Sequence, residues 1–349
     1  MCLSLRHVAS LLACLLLLSC KPVPESYNTQ SYVFGTLIDI SVYGETEMAA
    51  QDIASDILRD FQSLHNRLHA WKPSDLSAIN RNIAQGNSVL IDTDIAQMIR
   101  QATEYSSLSG GLFNPAVGQL IKLWGFHGES FTPVKTDPEK IAALVKANPK
   151  MSDIVIEGKL LHSTNPAVKL DLGGYAKGYA LDIGLRKLNE GGVKHALINI
   201  GGNVIALGQH GSVPWRVGIQ HPRKPNAIAA VNLESGWAIG TSGDYQRFFM
   251  RDGKRYSHLI DPRTGYPAQG TQSVTVLIPP QPNAGVLSDV ASKPIFISEL
   301  SKKAAVAKAM GVEHVMIIQE NGDIWLTPAM QKRIEWLDAD AKPPIQLLQ

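Results

Sequence analysis

Cysteine is almost missing from this chain: its three examples, Cys2, Cys14 and Cys20, all fall within the first twenty of 349 residues. The remainder has no disulfide and no thiolate to offer a zinc ion, so zinc is not expected. A domain of this length builds a sufficient core without cross-links. Charge of one sign is also lacking. Against 33 Lys and Arg stand 31 Asp and Glu, a net +2 with no clustered basic stripe, so no nucleic-acid partner is expected. There is no G-x-S-x-G elbow, which argues against a Ser-His-Asp hydrolase, and neither a Walker loop nor a G-x-G-x-x-G fingerprint. Long apolar runs are scarce too. Leu11 to Leu18, behind Arg6 and His7, is too short for a permanent span and has the length of a secretory signal.

That run ends in Leu17-Leu18-Ser19-Cys20, which resembles a bacterial lipobox. The expected organisation is a signal peptide over 1–19, a lipidated Cys20 with a polar tether over 20–30, and a domain over 31–340. Such a protein would sit in a bacterial cell envelope, held to a membrane by its lipid and facing the periplasm.

Within the domain, Tyr32–Tyr43 alternates as a strand broken at Gly35-Thr36, and Met48–Leu68 has apolar residues at helical spacing. Ser88–Glu104 and Asp137–Ala147 read as helices. VKLDLGG (168–174) reads as a strand, followed by an amphipathic helix closed by Gly191-Gly192. ALINIGGNVIALG is strand, glycine pair, strand, and Asp252-Gly253 marks a hairpin. Strands and helices joined by hairpins favour an α+β fold.

A strand that feeds Gly173-Gly174 and then a helix gathers free amides and a positive dipole end, a setting suited to phosphate. Packing glycines are the alternative. Asp171 and Lys177 flank this point, and Lys177 is unusual because a cation there opposes the helix dipole. Ser257-His258 and Asp261-Pro262 follow a strand; His258 is either a general base or part of a hydrogen-bonded turn.

Seven segments occur in order: VFGTLIDISVYG, LHNRLHAWKPSDLSAIN, GGLFNPAVGQLIKLWGF, LDLGGYAKGYALD, INIGGNVIALG, AIGTSGDYQRFF and RYSHLIDPRTGYPA. Together they resemble the ApbE family of FAD:protein FMN transferases over about residues 30 to 327. The resemblance implies mixed sheets with flanking helices, a single large domain of two intimate halves. It implies cleavage of FAD at its pyrophosphate, transfer of FMN to a Thr or Ser hydroxyl of a partner protein, and departure of AMP. The implied partner is a redox protein with a flavinylation motif, such as a subunit of a membrane redox complex. For this phosphoryl transfer, positioning and charge neutralisation dominate, with Mg²⁺ bridging phosphate oxygens. Asp171 and Lys177 match positions that contact FAD, and His258 matches the base that activates the incoming hydroxyl beside the cofactor. Phe34 stands where the family more often has methionine against the flavin. Trp71 and Leu112-Phe113-Asn114 match ring and adenine contacts. An oxygen near Gly174 and the Asp289 carboxylate match the metal site.

In one place the chain departs from the family. Where the family reads A-D-A-x-[ST]-T-A, this sequence has S-D-V-A-S-K-P, so Lys293 takes the threonine position and Pro294 follows. Asp289 and Lys293 face each other at i and i+4, and Pro294 is expected to kink or delay the helix. Three readings follow. Lys293 replaces part of the metal's charge; Ser292 supplies the hydroxyl and Mg²⁺ shifts; or chemistry is lost and the chain is an FAD carrier or scaffold. From a different class comes a lipid-anchored solute-binding protein for a phosphorylated ligand.

Overall fold

The computed structural model describes residues 26–128, 130–337 and 344–348. The signal, the lipobox and Cys20 lie outside them. Strands β1 (Ser26–Val33) and β2 (Thr36–Tyr43) lead to helices α1 (Glu47–Arg67) and α2 (Asp75–Ala84). Strand β3 (Val89–Leu90), α3 (Thr93–Leu108), α4 (Gly118–Leu123) and α5 (Pro138–Ala147) come next, then the hairpin β4 (Ile154–Glu157) and β5 (Leu160–Ser163). Helix α6 (Ala176–Glu190) precedes β6 (His195–Ile200), β7 (Asn203–Leu207), β8 (Trp215–Gln220), β9 (Ala227–Leu233) and β10 (Ala238–Gly243). Strands β11 (Phe248–Arg251), β12 (Lys254–Ser257) and β13 (Thr271–Ile278) lead to α7 (Ala284–Ile297) and α8 (Lys303–Ala309). The chain closes with β14 (His314–Gln319), β15 (Ile324–Leu326), α9 (Pro328–Gln331), β16 (Glu335–Trp336) and β17 (Ile345–Leu347).

The architecture is α+β. A nine-stranded sheet in the order β1-β2-β6-β7-β10-β13-β14-β15-β17 forms its spine. Helices α1, α6 and α7 cover one face, where Ile38, Ile57, Phe61, Ile198, Val276 and Val290 share one core. The small sheet β16-β9-β8 covers the other face through Val204, Ile219, Val231, Leu277 and Met316. A third cluster around Trp124, Phe126, Phe249 and Ile260 fixes the β11–β12 hairpin. Helix α7 is buried nearly all round, as its apolar sequence requires. Among the described residues, no helix is long and apolar enough to cross a membrane.

Four local expectations change. Tyr32–Tyr43 is not one broken strand but the end of β1, a tight turn and all of β2, with Phe34 (φ 56°) and Gly35 (φ 70°) both left-handed in the turn. Its first strand starts at Ser26, inside the segment read as a tether. The helix expected from Ser88 begins only at Thr93, because Val89 and Leu90 pair with Leu161 and Leu160. VKLDLGG is extended but is no sheet strand: Lys169 and Asp171 donate to the carbonyls of Ala116 and Pro115. The side chain of Asn80 meets both the amide (2.7 Å) and the carbonyl (2.9 Å) of Leu170. A buried amide side chain thus stands in for a neighbouring strand. Finally, α7 runs through Pro294, which falls in its last turn: the ring removes the one amide that would reach the Val290 carbonyl, and the helix closes soon after, at Ile297.

Candidate active site

Helices α6 and α7 cross at glycines. A Cβ on Gly178 would lie 2.5 Å from the Gly285 carbonyl and 2.8 Å from Asp289 Cβ, and one on Gly240 would lie 2.2 Å from the Ser288 carbonyl. Only the bare backbone admits α7 between α6 and β10. That crossing seats Asp289, 2% exposed, with Oδ2 accepting the Gly178 amide at 3.0 Å. Gly178 N is a first-turn amide of α6, one of the free donors that the sequence assigned to a phosphate. The protein's own carboxylate takes it.

The other carboxylate oxygen faces two ammonium groups. Lys293 Nζ donates to Asp289 Oδ1 and to the Asp289 carbonyl, both at 2.5 Å, and Lys177 Nζ lies 3.5 Å from Oδ1. Burial alone would push the Asp289 carboxyl up; Lys177, Lys293 and the Gly178 amide outweigh it and hold it below the ordinary range. The ion pair is therefore buried, unlike the exposed i,i+4 pairs whose worth is a few tenths of a kcal/mol. Lys177 has its reason here: its charge answers a carboxylate, not the helix dipole. Ser292 turns away, with Oγ 2.7 Å from Ser242 Oγ and 3.0 Å from the Asp289 carbonyl, which accepts its proton. Gly174 borders Lys293 directly, since a Cβ there would sit 2.9 Å from Lys293 Cε and 3.7 Å from Phe113 Cε2.

His258 shares this opening. Its Nδ1 lies 3.3 Å from the Arg247 carbonyl, which can only accept, so Nδ1 carries the proton and Nε2 keeps its lone pair. Burial, then the charges of Arg247, Lys177 and Lys293, push the imidazole down to about 3, so it is neutral at pH 7. Burial also lowers the Arg247 guanidinium, which lies over the Phe131 ring at 5.2 Å.

Phe34, at the β1–β2 turn, meets Phe61 at 6.3 Å and His65 at 5.7 Å between ring centroids. Trp71 lies 5.4 Å from His127, with Lys169 Nζ 4.8 Å above its ring. Leu112 and Phe113 are buried beneath the glycine turn. Asn114 spends its side chain on the Pro149 carbonyl and the Ala116 amide, at 2.9 and 3.1 Å. Asp171 accepts the Gly173 amide at 2.8 Å and so shapes the turn.

Some residues here were not singled out from sequence. Arg247 stood inside AIGTSGDYQRFF as an unremarked cation. Asp182 accepts the Gly285 and Val286 amides, both at 2.8 Å, and caps α7 from a neighbouring helix, a pairing without local signal. His65 and His69, four apart on or just beyond α1, have a spacing that zinc sites use, yet their rings contact each other at 5.4 Å. Among the described residues, no group of three or more His, Cys, Asp or Glu is placed to hold a metal.

The ApbE family model matches residues 34–316. An FAD:protein FMN transferase of Rhodobacter capsulatus is 39% identical over 94% of this chain, which spans 62% of that relative's length. One from Klebsiella pneumoniae is 30% identical over 90% of this chain and 95% of its own. The crystal structure of the ApbE protein of Thermotoga maritima superposes with a TM-score of 0.81 at 30% identity, over 88% of this chain and 99% of that one. The flavin transferase ApbE of Vibrio cholerae gives 0.76 at 26% identity, over 89% and 99%. This chain belongs to the ApbE family.

Proposed function

We propose that this chain transfers FMN from FAD to a Thr or Ser hydroxyl of a partner protein, releasing AMP. The observation that carries this reading is the convergence of Lys177, Lys293 and Arg247 on a neutral His258 at the glycine turn. Three cations at one opening suit a diphosphate. A neutral imidazole with a free Nε2 suits removal of a hydroxyl proton. The rings of Phe34 and Trp71 offer apolar faces for a flavin.

Mg²⁺ is the cation that the family resemblance implies, and the residues present do not fit it. Mg²⁺ demands six oxygens in near-octahedral array. Here one oxygen of Asp289 is taken by an amide and the other by two ammonium groups, while Ser292 faces Ser242. The proposed partner is a redox protein of a membrane complex, and the proposed location is the periplasmic side of a membrane, through a lipid on Cys20.

The test is incubation of the purified chain with FAD and an acceptor peptide bearing D-x-x-T-G-A-T. AMP release and a gain of one FMN in peptide mass are expected. Tightly bound flavin without transfer would reduce the chain to an FAD carrier or scaffold. Failure to bind flavin at all would leave the solute-binding lipoprotein.

A further inference from the structure

The crossing of α6 and α7 holds a positive charge built from the chain itself. Lys293 Nζ is fixed by two oxygens of a single residue, Asp289 Oδ1 and O, each 2.5 Å away and four positions earlier on the same helix. Its stem lies across Gly174, where any Cβ would come within 2.9 Å of Cε and 3.2 Å of Cδ. The glycine and the lysine are therefore matched: a side chain at position 174 would push the lysine from this path. The lysine's side chain is not fully enclosed. Its side chain keeps 13% exposure and that of Lys177 keeps 24%, whereas Asp289 keeps 2%. Two ammonium groups share one carboxylate and leave a surplus positive charge facing outward. Arg247 adds to it, for its guanidinium has no hydrogen-bond partner among the described residues. Asp171, the other carboxylate within its field, is already engaged by the Gly173 amide.

We propose that the Lys293 ammonium is the resident cation of this site, taking the part of a divalent metal, and that it balances the diphosphate of FAD so that transfer needs no metal. This rests on the transferase reading above. In the step, the acceptor hydroxyl oxygen bonds to the phosphorus of the FMN half, and the bond from that phosphorus to the bridging oxygen breaks. AMP leaves with the bridging oxygen, and the hydroxyl proton passes to Nε2 of His258 and on to solvent. Lys293 and Lys177 donate to phosphate oxygens throughout, so the charge they meet is already matched before the leaving group departs.

Measurements on the purified full-length chain separate the inference from the reading beneath it. The first is Mn²⁺ titration followed by electron paramagnetic resonance, with no bound ion expected. The second is FAD binding followed by flavin fluorescence, with equal affinity expected in Mg²⁺ and in EDTA. Lys293→Met, which keeps the stem and removes the charge, should weaken FAD binding about 10- to 100-fold, the scale of one charge-assisted contact. AMP release should persist in EDTA. Mn²⁺ held by the native chain and displaced by Mg²⁺, or FAD affinity lost in EDTA, would overturn the proposal whether or not the variant folds. Metal-independent, Lys293-dependent FAD binding without AMP release to any hydroxyl acceptor would support the charge assignment and overturn the transferase reading.

Discussion

The amide of Gly178 donates to Oδ2 of Asp289 at 3.0 Å, across a helix crossing so tight that neither helix could carry a larger residue at the contact. One hydrogen bond therefore joins the packing of the core to the charge of the site. Gly178→Ala places a methyl within 2.5 Å of the Gly285 carbonyl and 2.8 Å of Asp289 Cβ. The helices must part, and the buried carboxylate loses its amide. We expect a loss of about 2–4 kcal/mol, from overpacking plus an unsatisfied charged acceptor. FAD binding should fall with it. Urea unfolding together with flavin fluorescence checks both; an unchanged midpoint would mean that the crossing is looser than described.

Asp182 offers a second handle, because it caps α7 while buried. Burial pushes its carboxyl up to about 6 from an ordinary value of 3.8, against the pull of the Val286 and Gly285 amides. A raised folded value means that the native state holds the proton more tightly than the unfolded chain. Its contribution is full below the unfolded value and is lost as pH rises through 6. Between pH 5 and 7.5 the native chain should therefore lose about 1 kcal/mol from this group alone, and Asp182→Asn should remove that loss. The difference between the two urea-unfolding profiles isolates it from every other titrating group.

Much of this was legible in sequence where the signal is local. Turn chemistry located the hairpins at Gly201-Gly202 and Asp252-Gly253, and apolar spacing located α1 and α6. The glycine turn and Lys177 stood out as a charge near glycine, and Asp289 with Lys293 as an i,i+4 pair where the family has aspartate and threonine. What was not legible depends on contacts between distant segments. Asn80 completing the backbone bonds of Leu170, ninety positions away, leaves no local pattern. Nor does Asp182 reaching the start of α7. The burial of the Asp289–Lys293 pair was equally hidden, because i,i+4 spacing states proximity and says nothing of solvent. Pro294 misled for a related reason: its effect depends on how near the helix end it falls.

Lys303 is 1% exposed and meets no carboxylate among the described residues; its ammonium donates to the carbonyls of Ile295 (2.6 Å) and Phe296 (2.9 Å) at the end of α7. Burial alone lowers its value from 10.5 to about 7. A depressed folded value contributes stability that is full above the unfolded value and is lost as pH falls through the folded one. The window runs from about pH 10 down to about 7. Raising pH from 7.5 to 9.5 should stabilise the native chain by roughly 2 kcal/mol through this group, and Lys303→Met should lack the slope. Parallel profiles for the two proteins would show that the amine stays charged throughout.

On the proposed reading His258 is the base, and its titration bears on the pH dependence of transfer. Its Nδ1 proton is committed to the Arg247 carbonyl, so Nε2 is the atom that accepts from an incoming hydroxyl. Because burial and the charges of Arg247, Lys177 and Lys293 place the free imidazole at about 3, it is ready as a base across the physiological range. The kcat/KM for FAD, which reports the free protein, should show no acid limb from this group between about pH 5 and 8. His258→Gln keeps a polar side chain but no comparable base, and should lower transfer about 10²- to 10⁴-fold with little change in FAD affinity. Arg247→Gln tests the electrostatic half of the assignment. Removing the cation that acts most strongly on the imidazole lets it titrate at higher pH, so an acid limb should move toward the measurable range while the Nδ1 contact to the backbone remains. A profile unchanged by Arg247→Gln, or a His258→Gln variant that transfers at the native rate, would remove His258 from the reaction.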